Sequence, residues 1–304
     1  MAEDALAWVE SPLQLLGAAE WAAAHGVRTT VAGRLTAQMS ETSAELVRRE
    51  APFGEMHPYL GIPWLLLARH RHWLVGDGFS GQFRLAASLL RPARVTFLDD
   101  GANTLAFADA LTGRRPYARP GNDERGLIAR VAPFALDHVR TRALAGGVAL
   151  FTAFDPGPAR LDALADLGVG VARHRFAWTR AASRDMGLST SRVLLGSARP
   201  IDGRLDTDVY LDWVAAEAAT APVTYLPHRR ESRAQLDAVS GIPGVLLAET
   251  HLPTELVLAG VRRPLDVLTL ASSTTTTLPM VLEGTGSRIR ERDPALRHRR
   301  KAVR

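Results

Sequence analysis

Asp99, Asp100 and Gly101 directly follow the apolar run Val95-Thr96-Phe97-Leu98. A carboxylate at the end of a strand, with a glycine to turn the chain, can take a proton from a hydroxyl group. Repulsion between adjacent carboxylates can raise the pKa of one of them. The same three residues also suit a plain turn with a helix cap. A second group, Tyr225-Leu226-Pro227-His228-Arg229-Arg230-Glu231, places a histidine after a strand and a proline, beside two arginines. That pattern can bind or protonate a phosphate, or form a solvated surface loop. A third group, Ser272-Ser273-Thr274-Thr275-Thr276-Thr277, puts six hydroxyls after the apolar run Val267–Leu270. Hydroxyls and backbone N–H groups at a strand-to-helix turn make a phosphate cradle. Glu255 opens a helix after His251-Leu252-Pro253. It could accept hydrogen bonds from a ribose diol or serve only as a partner for the helix dipole.

The elements that must carry these groups alternate between two periods. Short apolar runs at Ala5–Val9, Thr29–Gly33, Trp73–Asp77, Val95–Leu98 and Val148–Phe151 read as strands, with helical patterns from Leu13 and over Ser80–Leu90. Ser11 suits an N-cap and Pro12 the first helical position. The alternation resumes at Val193–Gly196, Val223–Leu226, Val245–Ala248 and Val267–Leu270, with a helix over Val209–Ala219. Strands alternating with helices predict an α/β fold built on parallel sheets. In such sheets ligands bind beyond the carboxyl ends of the strands, where three of these groups fall. Pro116–Arg142 is poor in strand signals and reads as a surface excursion or helical insert. The segment Arg173–Thr190 lacks a clean period and reads as a linker. Residues 1–185 and 186–285 are thus expected to form two domains.

Composition excludes several classes of function. A chain of 304 residues with no cysteine needs no disulfide and has no thiolate chemistry. An intracellular, cytoplasmic address is expected. No basic region followed by an apolar core opens the sequence, so no cleaved signal peptide is expected. The longest apolar run, Ile62–Ala68, stops at Arg69 and is too short to span a bilayer. The net charge of +5 invites a nucleic-acid reading, but its distribution argues against one. Eight of the 37 basic residues lie in the last 17 positions; without these and without Glu291 and Asp293, 29 basic residues face 30 acidic ones. Residues 286–304 therefore read as a flexible basic tail. Such a tail can touch anionic lipid, which is the sole basis for peripheral membrane contact.

The ordered set resembles the bacterial sialyltransferases and polysialyltransferases of the GT-B type. Asp99-Asp100-Gly101 matches their D/E-D/E-G motif, and Ser272-Ser273 matches the pair that holds the donor phosphate. His228 stands at the histidine of their HP motif, although Arg229, not proline, follows it. Ser11, Gln14 and Gly76-Asp77 resemble further recurring elements. The resemblance implies a GT-B fold, with two Rossmann-like domains facing a central cleft. It implies inverting transfer of a nonulosonic acid from a CMP-activated donor to a hydroxyl of a glycan or small molecule. No cofactor or metal is implied. Ser272, Ser273 and Thr274 would hold the donor phosphate and Glu255 its ribose. His228 would protonate or hydrogen-bond the leaving oxygen, and Asp99 or Asp100 would act as base, with Asp99 favoured because it follows the strand directly. Ser11, Gln14, Asp77, Gly101 and Arg229 would line the cleft. Competing expectations are a CDP-glycerol-type or other nucleotide-activated transferase of the same fold, a nucleotide-sugar epimerase, and a nucleotide-binding paralogue without catalysis.

Overall fold

Apolar runs of four or five residues form strands buried on both faces, as expected where helices cover both sides of a parallel sheet. The structure is a computed structural model and describes residues 4–101, 103–121 and 126–294. It contains β1 (Ala5–Val9), β2 (Thr29–Arg34), β3 (Phe53–Tyr59), β4 (His72–Val75), β5 (Arg94–Phe97), β6 (Val148–Thr152) and β7 (Val169–Arg173). These make one sheet in the order β3-β2-β1-β4-β5-β6-β7, with every neighbouring pair parallel. A second sheet holds β8 (Arg192–Leu195), β9 (Val223–Leu226), β10 (Val245–Leu247), β11 (Asp266–Leu270) and β12 (Arg288–Arg292). Its order is β10-β9-β8-β11-β12, again all parallel. The chain divides into two compact units between Ala182 and Ser183, three residues before the boundary expected from the sequence.

Both sheets have the strand order of a Rossmann-like doubly wound fold. In each, the order reverses once: between β1 and β4 in the first unit and between β8 and β11 in the second. Each unit has its own core. In the first, Trp8 packs edge-on against Trp73 and Tyr59, and Phe83, Phe97 and Phe107 fill the space behind them. In the second, Tyr210, Trp213, Tyr225 and Leu268 form the centre.

Three strands escaped the sequence reading, and each is an edge strand or close to one. β3 carries Gly54, Glu55 and Pro58, and β7 is buried only at Val169. The third, β12, corrects the expectation of a flexible basic tail from residue 286. Arg288–Arg292 pairs residue for residue with Asp266–Leu270 of β11. Two of its arginines are paired: Arg290 with Asp266 at 2.8 Å and Arg292 with Glu217 at 3.5 Å. Charge on an edge strand blocks pairing with another chain. The remaining basic residues of the expected tail, from Arg297 onward, lie outside the described residues. The expected excursion over Pro116–Arg142 overlaps the helix Leu127–Leu144, which leads into β6. No described helix is long and apolar enough to cross a membrane.

Candidate active site

In the first unit, polar side chains gather at the carboxyl ends of β1, β4 and β5, around the reversal of strand order. The chain leaves β1 through Glu10 and Ser11 into the helix Pro12–His25. Ser11 holds the N-cap position with extended backbone and Pro12 starts the helix, as the sequence predicts, but the Ser11 side chain makes no cap hydrogen bond. Gln14, on the first turn, is buried. Its Oε1 accepts from the Glu10 N–H at 2.7 Å, and its Nε2 donates to Asp100 Oδ1 at 2.8 Å. Gly76, at the end of β4, leaves room for this side chain; a Cβ there would overlap Gln14.

Asp99 and Asp100 leave β5 into different surroundings. Asp99 is 1% exposed. Its carboxylate accepts from the Thr152 hydroxyl, from the Ala153 N–H at 2.7 Å and from His174 Nε2 at 3.1 Å. It therefore ties together the ends of β5, β6 and β7, although the sequence favours Asp99 as the base for following the strand directly. Asp100 is the accessible carboxylate, with a side chain 22% exposed. Besides Gln14 it accepts from Asn103 Nδ2 at 3.0 Å, and Arg119 stands 3.5 Å away. Gly101 has φ of +61°, in the left-handed region that favours glycine, and turns the chain into the helix Asn103–Leu111.

Asp77 belongs to the same cluster. It accepts from the Phe79 N–H at 2.9 Å and pairs with Arg119. Burial, helped by the negative charges of Asp100 and Glu10 and opposed by Arg119, pushes its carboxyl up to about 6. Glu10 in turn accepts from the Ser80 hydroxyl at 2.9 Å and pairs with Arg34 at 2.6 Å. The cluster thus holds three carboxylates, Glu10, Asp77 and Asp100; Gln14 links Asp100 to the Glu10 backbone, and Arg34 and Arg119 supply opposing charge.

In the second unit the loops after β8, β9 and β11 carry hydroxyls, arginines and one histidine. His228 follows β9 and Pro227. Its Nδ1 accepts from the Arg230 N–H at 3.2 Å, so the neutral ring carries its proton on Nε2. Burial, with the charges of Arg229 and Arg230 added, drops the imidazole to about 4. It is a neutral hydrogen-bond donor at pH 7 rather than an imidazolium. Arg229 is exposed next to it, while Arg230 pairs with Asp202 at 3.1 Å.

Glu231 fixes this loop from below. It accepts from the His228 N–H at 2.6 Å, from Gln235 Nε2 at 2.6 Å and from the Tyr225 hydroxyl, itself bonded to Tyr210. Burial raises its pKa, against the pull of those donors. Gly196, after β8, is required beside it: a Cβ there would meet the Glu231 carboxylate and the His228 nitrogen.

Ser272 and Ser273 connect β11 to the helix Thr274–Val281. Ser273 is the N-cap and makes no side-chain cap bond, while the Thr275 N–H bonds to the Ser272 carbonyl and the Thr276 and Thr277 N–H groups to that of Ser273. The Ser272 and Thr274 hydroxyls lie 2.7 Å apart. Arg199, in the loop after β8, donates to the carbonyl of Ala271 at 2.7 Å, which puts a guanidinium at the same turn. Hydroxyls, the positive end of a helix and an arginine together suit an anion. Glu255 does not join them. It is 6% exposed and accepts from Thr277 Oγ1 at 2.7 Å, tethering the helix Thr254–Leu258 to the helix Thr274–Val281. The residue expected to meet a ribose diol is thus held by a bond between two helices.

Sequence reasoning missed Glu10, Arg119, His174, Arg199 and Glu231 as parts of these networks. Glu10 stood next to Ser11-Pro12 and Glu231 closed the His228 stretch, so adjacency could have found both. Arg119, His174 and Arg199 carry no local signal; tertiary contacts alone identify them.

No protein-family model matches the chain, and no curated protein matches it in sequence. Among solved structures it is similar to a UDP-glucose:anthocyanidin 3-O-glucosyltransferase in complex with UDP, at 11% identity and a TM-score of 0.49, over 95% of this chain and 80% of that one. It is also similar to Acinetobacter baumannii MurG, at 11% identity and a TM-score of 0.36, over 99% of this chain and 90% of that one. The fold class rests on the two strand orders rather than on these likenesses: two Rossmann-like α/β units in one chain, each with a polar cluster at its switch point.

Proposed function

We propose that this chain is an inverting glycosyltransferase of the GT-B type, and that its donor is a CMP-activated nonulosonic acid. One observation carries the reading. The two switch points bear complementary chemistry, with carboxylates in the first unit and an anion cradle beside a neutral histidine in the second. Transfer of a sugar from a nucleotide requires both: a base for the acceptor hydroxyl and charge stabilisation for the departing phosphate.

In this mechanism Ser272, Ser273, Thr274 and Arg199 hold the donor phosphate against the first turn of the helix Thr274–Val281. His228 donates its Nε2–H to the bridging oxygen as the bond from the anomeric carbon to that oxygen breaks. The acceptor hydroxyl forms the new bond on the opposite face and gives its proton to Asp100. The nucleotide leaves with the negative charge on its phosphate. Gln14 and Asn103 hold Asp100 in place, and Arg119, shared with Asp77, tunes both carboxylates.

A second donor class is favoured by one feature. With Glu255 buried against Thr277, the ribose contact implied by the sialyltransferase resemblance is missing. UDP- and CDP-activated donors therefore belong in the same test. Binding and slow hydrolysis of CMP-, CDP- and UDP-activated donors are measured with wild type and His228→Ala. Selective binding of CMP-nonulosonates, with cleavage lowered in the variant, supports the full reading. Selective binding of another donor replaces the CMP assignment, and no binding of any donor removes the transferase reading.

A further inference from the structure

A groove of about 300 Å³ runs along the first unit between the helix Ala37–Arg48 and the strands β2 and β3. That volume is at the lower end for small-molecule sites. Its walls are mainly apolar, formed by Leu35, Met39, Ala44, Val47, Met56 and Pro58, with Ser40, Ser43 and His57 adding polar edges. Such walls suit a linear alkyl chain better than a flat ring, because methionine and leucine adapt to irregular apolar shapes.

Three observations tie this groove to the carboxylate cluster. The first is an ion pair. Arg34 lines the groove and pairs with Glu10, whose own N–H reaches Asp100 through Gln14. The second is the order of the strands. From the Asp100 end of β5 the sheet runs through β4 and β1 to β2. At about 4.8 Å per strand, the groove lies on the order of 15 Å from Asp100. A short glycan can cover that distance across the ends of β4 and β1. The third is an exposed apolar surface where the groove opens. The Leu35 N–H bonds to the Tyr59 carbonyl, and Leu60, Trp64 and Leu65 follow at once; all four of these apolar side chains are exposed. Exposed apolar groups beside a groove mark a binding surface.

We infer that this groove binds the alkyl chain of an amphiphilic acceptor, a glycolipid whose sugar head extends to Asp100. This rests on the transferase reading for the role of the chain, but binding in the groove can be tested apart from it. The probe is n-dodecyl β-D-maltoside, titrated calorimetrically below its micelle-forming concentration, with maltose as the head-group control. Ala44→Trp plugs the groove from an exposed helix position, and circular dichroism checks that it folds.

The detergent is expected to bind more than about tenfold tighter than maltose, since each buried methylene adds to affinity. Ala44→Trp should erase that advantage and leave nucleotide binding unchanged. Equal binding of the two probes by wild type, or an advantage that survives Ala44→Trp, overturns the inference. Alkyl binding in a protein that binds no activated sugar upholds the groove and removes the transferase reading. Donor cleavage with no alkyl preference does the reverse.

Discussion

Asp99 and Asp100 are adjacent in sequence and differ in surroundings: the first is sealed beneath Thr152, Ala153 and His174, and the second is accessible and bridged to Gln14. Charge-neutral variants separate them. Asp100→Asn should leave thermal stability near wild type and lower transfer by about 10²–10⁴, the usual contribution of a positioned base. Asp99→Asn should act first on stability, by about 2–4 kcal/mol, because it disturbs a buried network and leaves donors unpaired. Unfolding midpoints alongside turnover decide the matter; a stable but inactive Asp99→Asn would reverse the assignment.

Asp77 gives a signed prediction for pH. Its carboxyl is raised from an ordinary value of 3.8 to about 6, chiefly by burial. A raised folded-state pKa favours the protonated form, so this contribution to stability is full below about 3.8 and is lost as pH rises through about 6. Asp77→Asn, which cannot ionise, should match wild type near pH 4 and be more stable at pH 7, by at most about 3 kcal/mol. The same variant should lose activity, since Asp100 would then share Arg119 with no second carboxylate. Denaturant unfolding at the two pH values measures the gap, and a gap that does not widen with pH refutes the electrostatic account.

These two cases show how much the sequence disclosed. The alternation of apolar runs placed nine of the twelve strands and set Asp99-Asp100, His228 and Ser272-Ser273 at strand ends. It could not distinguish the two aspartates, because the donors that claim Asp99 come from β6 and from beyond β7, more than fifty residues away. The burial of Glu255 was hidden for a related reason, since its partner Thr277 lies 22 residues downstream. β12 was invisible because an Arg-rich edge strand has no apolar run; its partners Asp266 and Glu217 supply the order that composition denies. Removing residues 286–304 should therefore strip β12 from β11 and lower the unfolding midpoint sharply. A chain ending at residue 294 retains the strand, which makes it the sound background for any lipid-binding comparison.

His228 predicts the shape of the pH–rate profile. With the imidazole lowered to about 4, chiefly by burial, it is neutral across the physiological range. Donor cleavage should not fall as pH rises through about 6.5, where an ordinary histidine loses its proton. The ring's Cε1 proton shift, followed by NMR, should stay flat from about pH 5.5 to 8. The depressed folded-state pKa also means that this group's contribution to stability is present above about 6.5 and is lost as pH falls toward about 4. A titration centred near 6.5 would return His228 to the role of general acid.

Gly196 tests whether the second half-site is held by one carboxylate. A methyl group there would collide with both the Glu231 carboxylate and the His228 backbone nitrogen. Neither can retreat easily, because Glu231 also serves Tyr225 and Gln235, and His228 is fixed by its own chain. Gly196→Ala should therefore cost about 1–3 kcal/mol of stability, as overpacking does. It should also weaken nucleotide binding, by shifting the loop that presents the His228 ring. Glu231→Gln makes the complementary test: it keeps the volume, but its amide nitrogen cannot accept the His228 N–H. If both variants bind nucleotide as well as wild type while losing stability, Glu231 supports the fold alone and the His228 loop is positioned by other means.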